Sequence, residues 1–266
     1  MVKPSKEKSY NIIYSIICHQ EIDVIKNLTK NIIKFNKNNR FFICLHLNNI
    51  NYKFRKTLTS NHVIINDIFY DKKSGTHLLC KPHLDNFLFL KNKKYKFYNF
   101  ITLSSRCRFI KQMPVFEKQI YNPLYLNEEQ DLTKLNRWWW PHFLKNKKIV
   151  KLFKSKKIAL VKGQTSGRIF SRELIEDIYN FITKNNIFNK IDYECYIDEV
   201  LFPTLCHYYI GTKKNICCYK FGKTSSYIPS LDELKNKLNN LDDSICIIKK
   251  MPDDINHPII KYIDSI

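Results

Sequence analysis

The chain has 266 residues, 44% of them hydrophobic and 14% aromatic, enough for one large α/β core and too many for wholesale disorder. Lys and Arg outnumber Asp and Glu by 45 to 24, and the formal charge of +21 must be screened by salt or by partners. Five glycines provide no Gly-rich phosphate loop, and nine cysteines without a C-x-x-C spacing argue against a zinc ribbon or a disulfide framework.

In chain order, "YNIIYSIIC" is a short apolar, β-rich run that reads as a buried first strand. "QEIDVIKNLTKNIIKF" follows with Ile22, Ile25, Leu28, Ile32 and Phe35 at helical spacing. "RFFICLHL" is a second buried strand ended by "NNIN", and "HVIIND" a short third. "GTHLLCKPHLDNFLFL" reads as a helix with Pro82 in its first turn, and "KFYNFITLSS" as a fourth strand. This alternation predicts an α/β layer with a largely parallel sheet.

Residues 112–150 hold Pro114, Pro123, Pro141 and the run "RWWWPHF", and read as a long loop. "SRELIEDIYNFI" is a helix capped by Ser171, with Glu173 complementing its N-terminal dipole. "SLDELKNKLNNL" is another, with Ser230 and Glu233 spaced as a capping box, and "SICIIKKM" is a late strand. No repeat and no linker divides the chain, so residues 1–266 are expected to form one domain.

"FLKNKKYKFYNF" and "FLKNKKIVKLFKSKK" fit a nucleic-acid surface, and read equally well as solvated turns between buried strands. No nucleic-acid module is present. The N-terminus lacks a signal-peptide pattern and no run has the length of a membrane span. With cysteines lying in apolar runs, the expectation is a soluble, intracellular protein in a reducing compartment.

"YECYIDEVLFPTL" places Asp198 and Glu199 inside an apolar run. Two readings stand: a buried ion pair with one of the many lysines, or a carboxylate whose desolvation raises its pKa and suits it to accept a proton. Cys206–His207 is no nucleophilic pair, because sequence neighbours on a helix point apart.

The stretch Asp198, Glu199, Val200, Leu201, Phe202, Pro203, Thr204, Leu205 resembles the D-E-x-(aromatic or L)-(aromatic)-x-T-L hallmark of the core-2/I-branching enzyme family of glycosyltransferases. That family includes branching β-N-acetylglucosaminyltransferases and peptide O-xylosyltransferases. Other segments match in family order: "IIYSIICHQEIDVIKNL" with His19 at the turn, His46–Leu47–Asn48, "KSGTHLLCKPHLDNFL", "ITLSSRCRFIK" with Ser104, and "KGQTSGRIFSRELIEDI" with Gly163 and Ser171–Arg172. "ICIIKKMPDDINHPIIKYI" completes the set, which spans nearly the whole chain. Asn48 stands where the family has Asp, and Ser105, Cys107 and Phe109 replace its Gly, Asp and Pro. The tryptophan expected before Ser74–Gly75 is missing.

The resemblance implies a GT-A-like, Rossmann-related three-layer α/β sandwich and inverting transfer of GlcNAc or xylose from a UDP-sugar to a glycan or glycoprotein hydroxyl. By the same resemblance Glu199 is the base and Asp198 its support, Lys250 and Lys214 bind the diphosphate (Lys249 and Lys213 being one-residue alternatives), and His19, Asn48 and Ser104 hold the nucleotide. No cofactor and no metal are expected: Asp192-Tyr193-Glu194, the nearest thing to a metal-binding Asp-x-Asp, is misplaced. Trp139 and Trp140 suit an acceptor platform, since aromatic faces stack on sugar rings, or a hydrophobic plug for the long loop. Two other readings remain: a basic protein that binds nucleic acid or anionic glycan, and a catalytically inactive glycan-binding relative.

Overall fold

A computed structural model describes residues 9–69, 79–114, 143–161, 163, 165–192, 197–211, 218–220, 227–241 and 245–266. β1 (Ser9–Cys18) is the central strand of a five-stranded sheet, flanked by β2 (Phe41–Leu47) and β4 (Lys96–Ser104). β3 (Val63–Ile65) pairs with β2, and β6 (Arg168–Ser171) with β4, giving the order β3-β2-β1-β4-β6. All pairings are parallel except β4–β6. The largely parallel α/β sheet is therefore as expected, with one antiparallel edge.

Alternation along β1 sends successive residues to opposite faces. Ile12, Tyr14 and Ile16 meet Ile25, Leu28 and Ile32 of α1 (Ile22–Lys34) in one core. Ile13 joins the other core, with Leu84 and Phe87 of α4 (Cys80–Asn92). Pro82 lies in the first turn of α4, where its missing N–H breaks no helical bond. α5 (Lys147–Ser155), α6 (Arg172–Lys184) and α7 (Asp198–Ile210) cover the same face as α4 through Phe153, Ile178 and Phe202.

A smaller sheet, β5 (Arg108–Phe109), β8 (Ile247–Lys249) and β7 (Cys218–Lys220), grows from the end of β4. α8 (Leu231–Asn239) and α9 (Pro258–Ser265) pack beside it through Leu234, Ile259 and Ile263. α2 (Asn49–Tyr52) and α3 (Arg55–Leu58) follow β2.

Several local signals are met directly. The Ser171 hydroxyl accepts the Leu174 N–H at 3.1 Å, and that of Ser230 accepts the Glu233 N–H at 3.1 Å. The Glu233 carboxylate takes the Tyr227 hydroxyl. Two expectations need correction. The lysine-rich stretch after Phe143 is the helix α5, not a turn, because Ile149 and Phe153, one turn apart, bury a stripe beneath the lysines. "NNIN" likewise starts α2, capped by Asn48, instead of only ending a strand.

Polar side chains inside the sheet satisfy one another. His83 Nδ1 and Ser15 Oγ lie 2.8 Å apart, and the Asn86 amide donates to Ser15 Oγ at 2.9 Å and to the Cys44 carbonyl at 3.2 Å. Asn66 donates to Asn86 Oδ1 at 2.9 Å and contacts His46 Nδ1 at 3.4 Å. Burial holds the two imidazoles neutral, drawing His46 down to about 4 and His83 to about 3.

Candidate functional site at the carboxyl end of the sheet

From β1 the chain runs outward through β2 and β3, then returns to the other side of β1 as β4. The point where strand order reverses, between the carboxyl ends of β1 and β4, is where open parallel sheets form a crevice. His19 and Gln20 leave β1 there, Asn48 leaves β2, and Ser104 ends β4. These strand ends are stitched together. Asn48 N–H donates to the Cys18 carbonyl at 3.3 Å, Asn51 Nδ2 to the Gln20 carbonyl at 2.7 Å, and the Ser105 hydroxyl to Gln20 Oε1. An open cleft of about 610 Å³ adjoins His19, and Glu21, Asp23, Asp253 and Asp254 make its lining acidic.

The acid pair forms the first turn of α7, where the helix dipole favours negative charge. Pro203 sits inside this helix and brings no N–H, so the carbonyl four residues earlier, that of Glu199, loses its helical donor. Gly163 N–H takes that acceptor at 2.8 Å. One residue beyond the proline, the Thr204 hydroxyl accepts Val161 N–H at 2.9 Å and lies 3.2 Å from the Val161 carbonyl. The Thr165 hydroxyl donates to Asp198 Oδ2 at 2.7 Å, and the Thr165 carbonyl accepts the hydroxyl of Thr102, near the end of β4, at 2.5 Å. The hallmark-like residues thus lace α7 to the 161–165 segment and through it to the switch point.

Asp198 is buried, and desolvation pushes its carboxyl up to about 6; the Thr165 hydrogen bond opposes this, adjacent Glu199 adds to it, and Lys249 opposes it. Glu199 is half-buried beside it. Arg168 is buried on β6 with its charge acting on Cys206, Glu199 and Asp198, and burial draws it down to about 10, still a cation near neutrality. Cys107 contacts Ser104 Oγ at 3.5 Å; hydrogen bonding from Cys218 draws its thiol down against desolvation, with help from Ser104 and Lys249. Cys206 faces Arg168 and is pushed up to about 12 by burial, so it is a packed thiol.

The structure brings His19, Asn48 and Ser104 to one edge. His19 is exposed on the acidic cleft and Ser104 is half-buried. Asn48 is buried with Oδ1 accepting Asn51 N–H at 2.8 Å, a capping duty that the sequence reading did not foresee. Lys249, the one-residue alternative to Lys250, ends β8 and acts on both Asp198 and Cys107. Lys250 follows it in a left-handed conformation, φ 69°. Asp192 is exposed and bonded to Lys148 at 2.8 Å. Lys214, Trp139 and Trp140 lie outside the described residues. Arg168 and Thr165 were missed as site residues; the one sequence signal was a cation heading the short apolar strand "RIFS".

Among the described residues no group of three or more His, Cys, Asp or Glu could hold a metal ion, and no helix is long and apolar enough to cross a membrane. Fold and site together define an α/β protein with helices on both faces of a mostly parallel sheet and an acid pair tied to its switch point. Neither the models of known protein families nor the curated proteins include a match to this chain.

Proposed function

We propose that the protein is a GT-A-like inverting glycosyltransferase that moves a sugar, GlcNAc or xylose, from a UDP donor to a hydroxyl of a glycan or glycoprotein, without a metal. The observation that carries this reading is the acid pair: it opens α7 and is held through Thr165 and Thr102 to the carboxyl end of β4. Glu199 would take the proton of the attacking hydroxyl as the sugar–phosphate bond breaks. Asp198, buried and bonded to Thr165, would support it. The diphosphate leaving group needs fixed positive charge. Lys249 supplies it at the end of β8 beside Lys250, whereas the cleft beyond His19 is acidic and would repel phosphate. Cys107, leaning toward thiolate, stands where the resembled family carries an aspartate.

Thermal-shift titration with UDP, with and without EDTA and manganese, tests the reading. Stabilisation by UDP that EDTA does not alter is expected, and no response to any nucleotide would remove the proposal. Glu199→Gln is expected to abolish transfer while UDP still binds.

A second reading has its own observation. Seven of the thirteen residues from Lys145 to Lys157 are exposed lysines, carried by α5 and its flanks. Such a face suits an anionic polymer, and steeply salt-dependent oligonucleotide binding without any nucleotide response would favour it.

A further inference from the structure

Arg168 opens β6 opposite Thr102 of β4. Residues two apart on a strand share a face, so Arg168 lies on the side of Phe170, whose ring packs 5.3 Å from that of Phe202 on α7. One turn back along α7 from Phe202 is Asp198. Arg168 is 5% exposed, and among the described residues its Nε, Nη1 and Nη2 have no hydrogen-bond partner; Asp198 is 2% exposed, and its Oδ1 has none there either. A dry guanidinium without an acceptor is costly unless opposite charge lies within reach. That charge is the pair of carboxylates on the facing turn of the helix.

We propose that Arg168 is the positioning residue of the acid pair, its buried guanidinium holding Asp198 and Glu199 in their ionised forms and seating the first turn of α7 over the start of β6. As a statement about catalysis this rests on the glycosyl-transfer reading; as a statement about charge it does not. Among the described residues, the groups that act with Asp198 are Arg168 on β6, Lys249 on β8, Cys80 on α4 and Glu199 on its own helix, together with the Thr165 hydroxyl, while Cys206 acts on Arg168. Burial pushes both thiols up, so neither carries charge near neutrality. Among the described residues, Lys249 acts on Asp198 from a half-buried position whose field solvent shares, whereas Arg168 acts with both Glu199 and Asp198 from a shielded one.

The test is a carboxyl titration by NMR of protein labelled with ¹³C in Asp and Glu side chains, with Asp198→Asn for assignment. Arg168→Met is expected to move the Asp198 midpoint upward by about one unit or more, and Arg168→Lys to return most of the shift. An unmoved midpoint in folded Arg168→Met overturns the proposal. If Arg168→Met does not fold, Arg168→Met with Asp198→Asn is expected to fold, since it removes both charges; a double variant that also fails to fold overturns the proposal as well. No nucleotide enters the measurement. A protein that never responds to UDP still gives a titration, and the two readings fail separately.

Discussion

The backbone N–H of Gly163 donates to the carbonyl of Glu199 at 2.8 Å, an acceptor made available by Pro203 four residues further along α7. A proline that would ordinarily count as a defect in a helix instead makes a docking point for the segment leading into β6. Restoring the N–H should set helix and loop in competition. Pro203→Ala is expected to raise Gly163 amide exchange about tenfold, the equivalent of one ordinary hydrogen bond, without lowering the denaturation midpoint. Unchanged protection at Gly163 in hydrogen-exchange measurements would show that the bond does not depend on the proline.

Thr165 gives Asp198 a hydrogen bond inside a buried site. Thr165→Val keeps the shape and removes the donor, and is expected to cost about 1.5–3 kcal/mol in urea denaturation above pH 6, where Asp198 is ionised. Thr165→Ser should retain most of the stability. A loss in Thr165→Ser with none in Thr165→Val would assign the effect to packing at the methyl group instead.

Acid should weaken the fold through His46 and His83. Below pH 6.5 the unfolded chain takes up protons that the buried rings refuse until about 4 and about 3, so stability falls with pH across that window. The loss approaches about 1.4 kcal/mol per pH unit for each ring. Asp198 acts in the opposite sense. Its folded value of about 6 lies above the ordinary 3.8, so the folded protein binds that proton first and regains stability as pH falls between those values. Two losses against one gain leave a net decline, and Asp198→Asn should steepen it. Urea midpoints measured from pH 7 to 4 check both slopes; a flat profile for the unaltered protein would contradict the histidine assignment.

Gly167 has φ +83°, and a Cβ placed there would lie 2.2 Å from Cys218 Cβ and 2.8 Å from its sulfur. Gly167→Ala therefore strains the backbone and pushes β7 away, at a cost on the order of 2–4 kcal/mol. Calorimetry on Gly167→Ala, alone and with Cys218→Gly, separates the two causes. The second substitution should recover only the collision, leaving the backbone part of the loss.

What could be read from the sequence was local. Ser171 and Ser230 announce helices because a cap reaches only three residues ahead, and Pro82 marks a first turn for an equally local reason. The α5 helix was legible in principle from Ile149 and Phe153, but the lysines around them masked the spacing. The site was legible only as residue types. That Arg168 faces Asp198, or that Asn66 and Asn86 join Ser15 to two histidines, depends on which strands neighbour one another. Topology sets those pairings across tens of residues, and no local spacing records them. Asn48 illustrates the same limit from the other side, since its side chain also caps a helix that the sequence reading did not place there.

The order β3-β2-β1-β4-β6 has one more consequence. The inner strands β1, β2 and β4 run for ten, seven and nine residues, whereas the outer strands β3 and β6 run for three and four. Unpaired N–H and C=O groups along a sheet edge are a template on which another chain can add a strand, and the length of the edge limits how firmly it can do so. Here the three long strands are all interior, and each rim presents less than half the ladder of the strand beside it. A chain rich in isoleucine and phenylalanine thereby keeps its longest strands away from its neighbours, and among the described residues short rims and like charge both disfavour growth of the sheet from copy to copy.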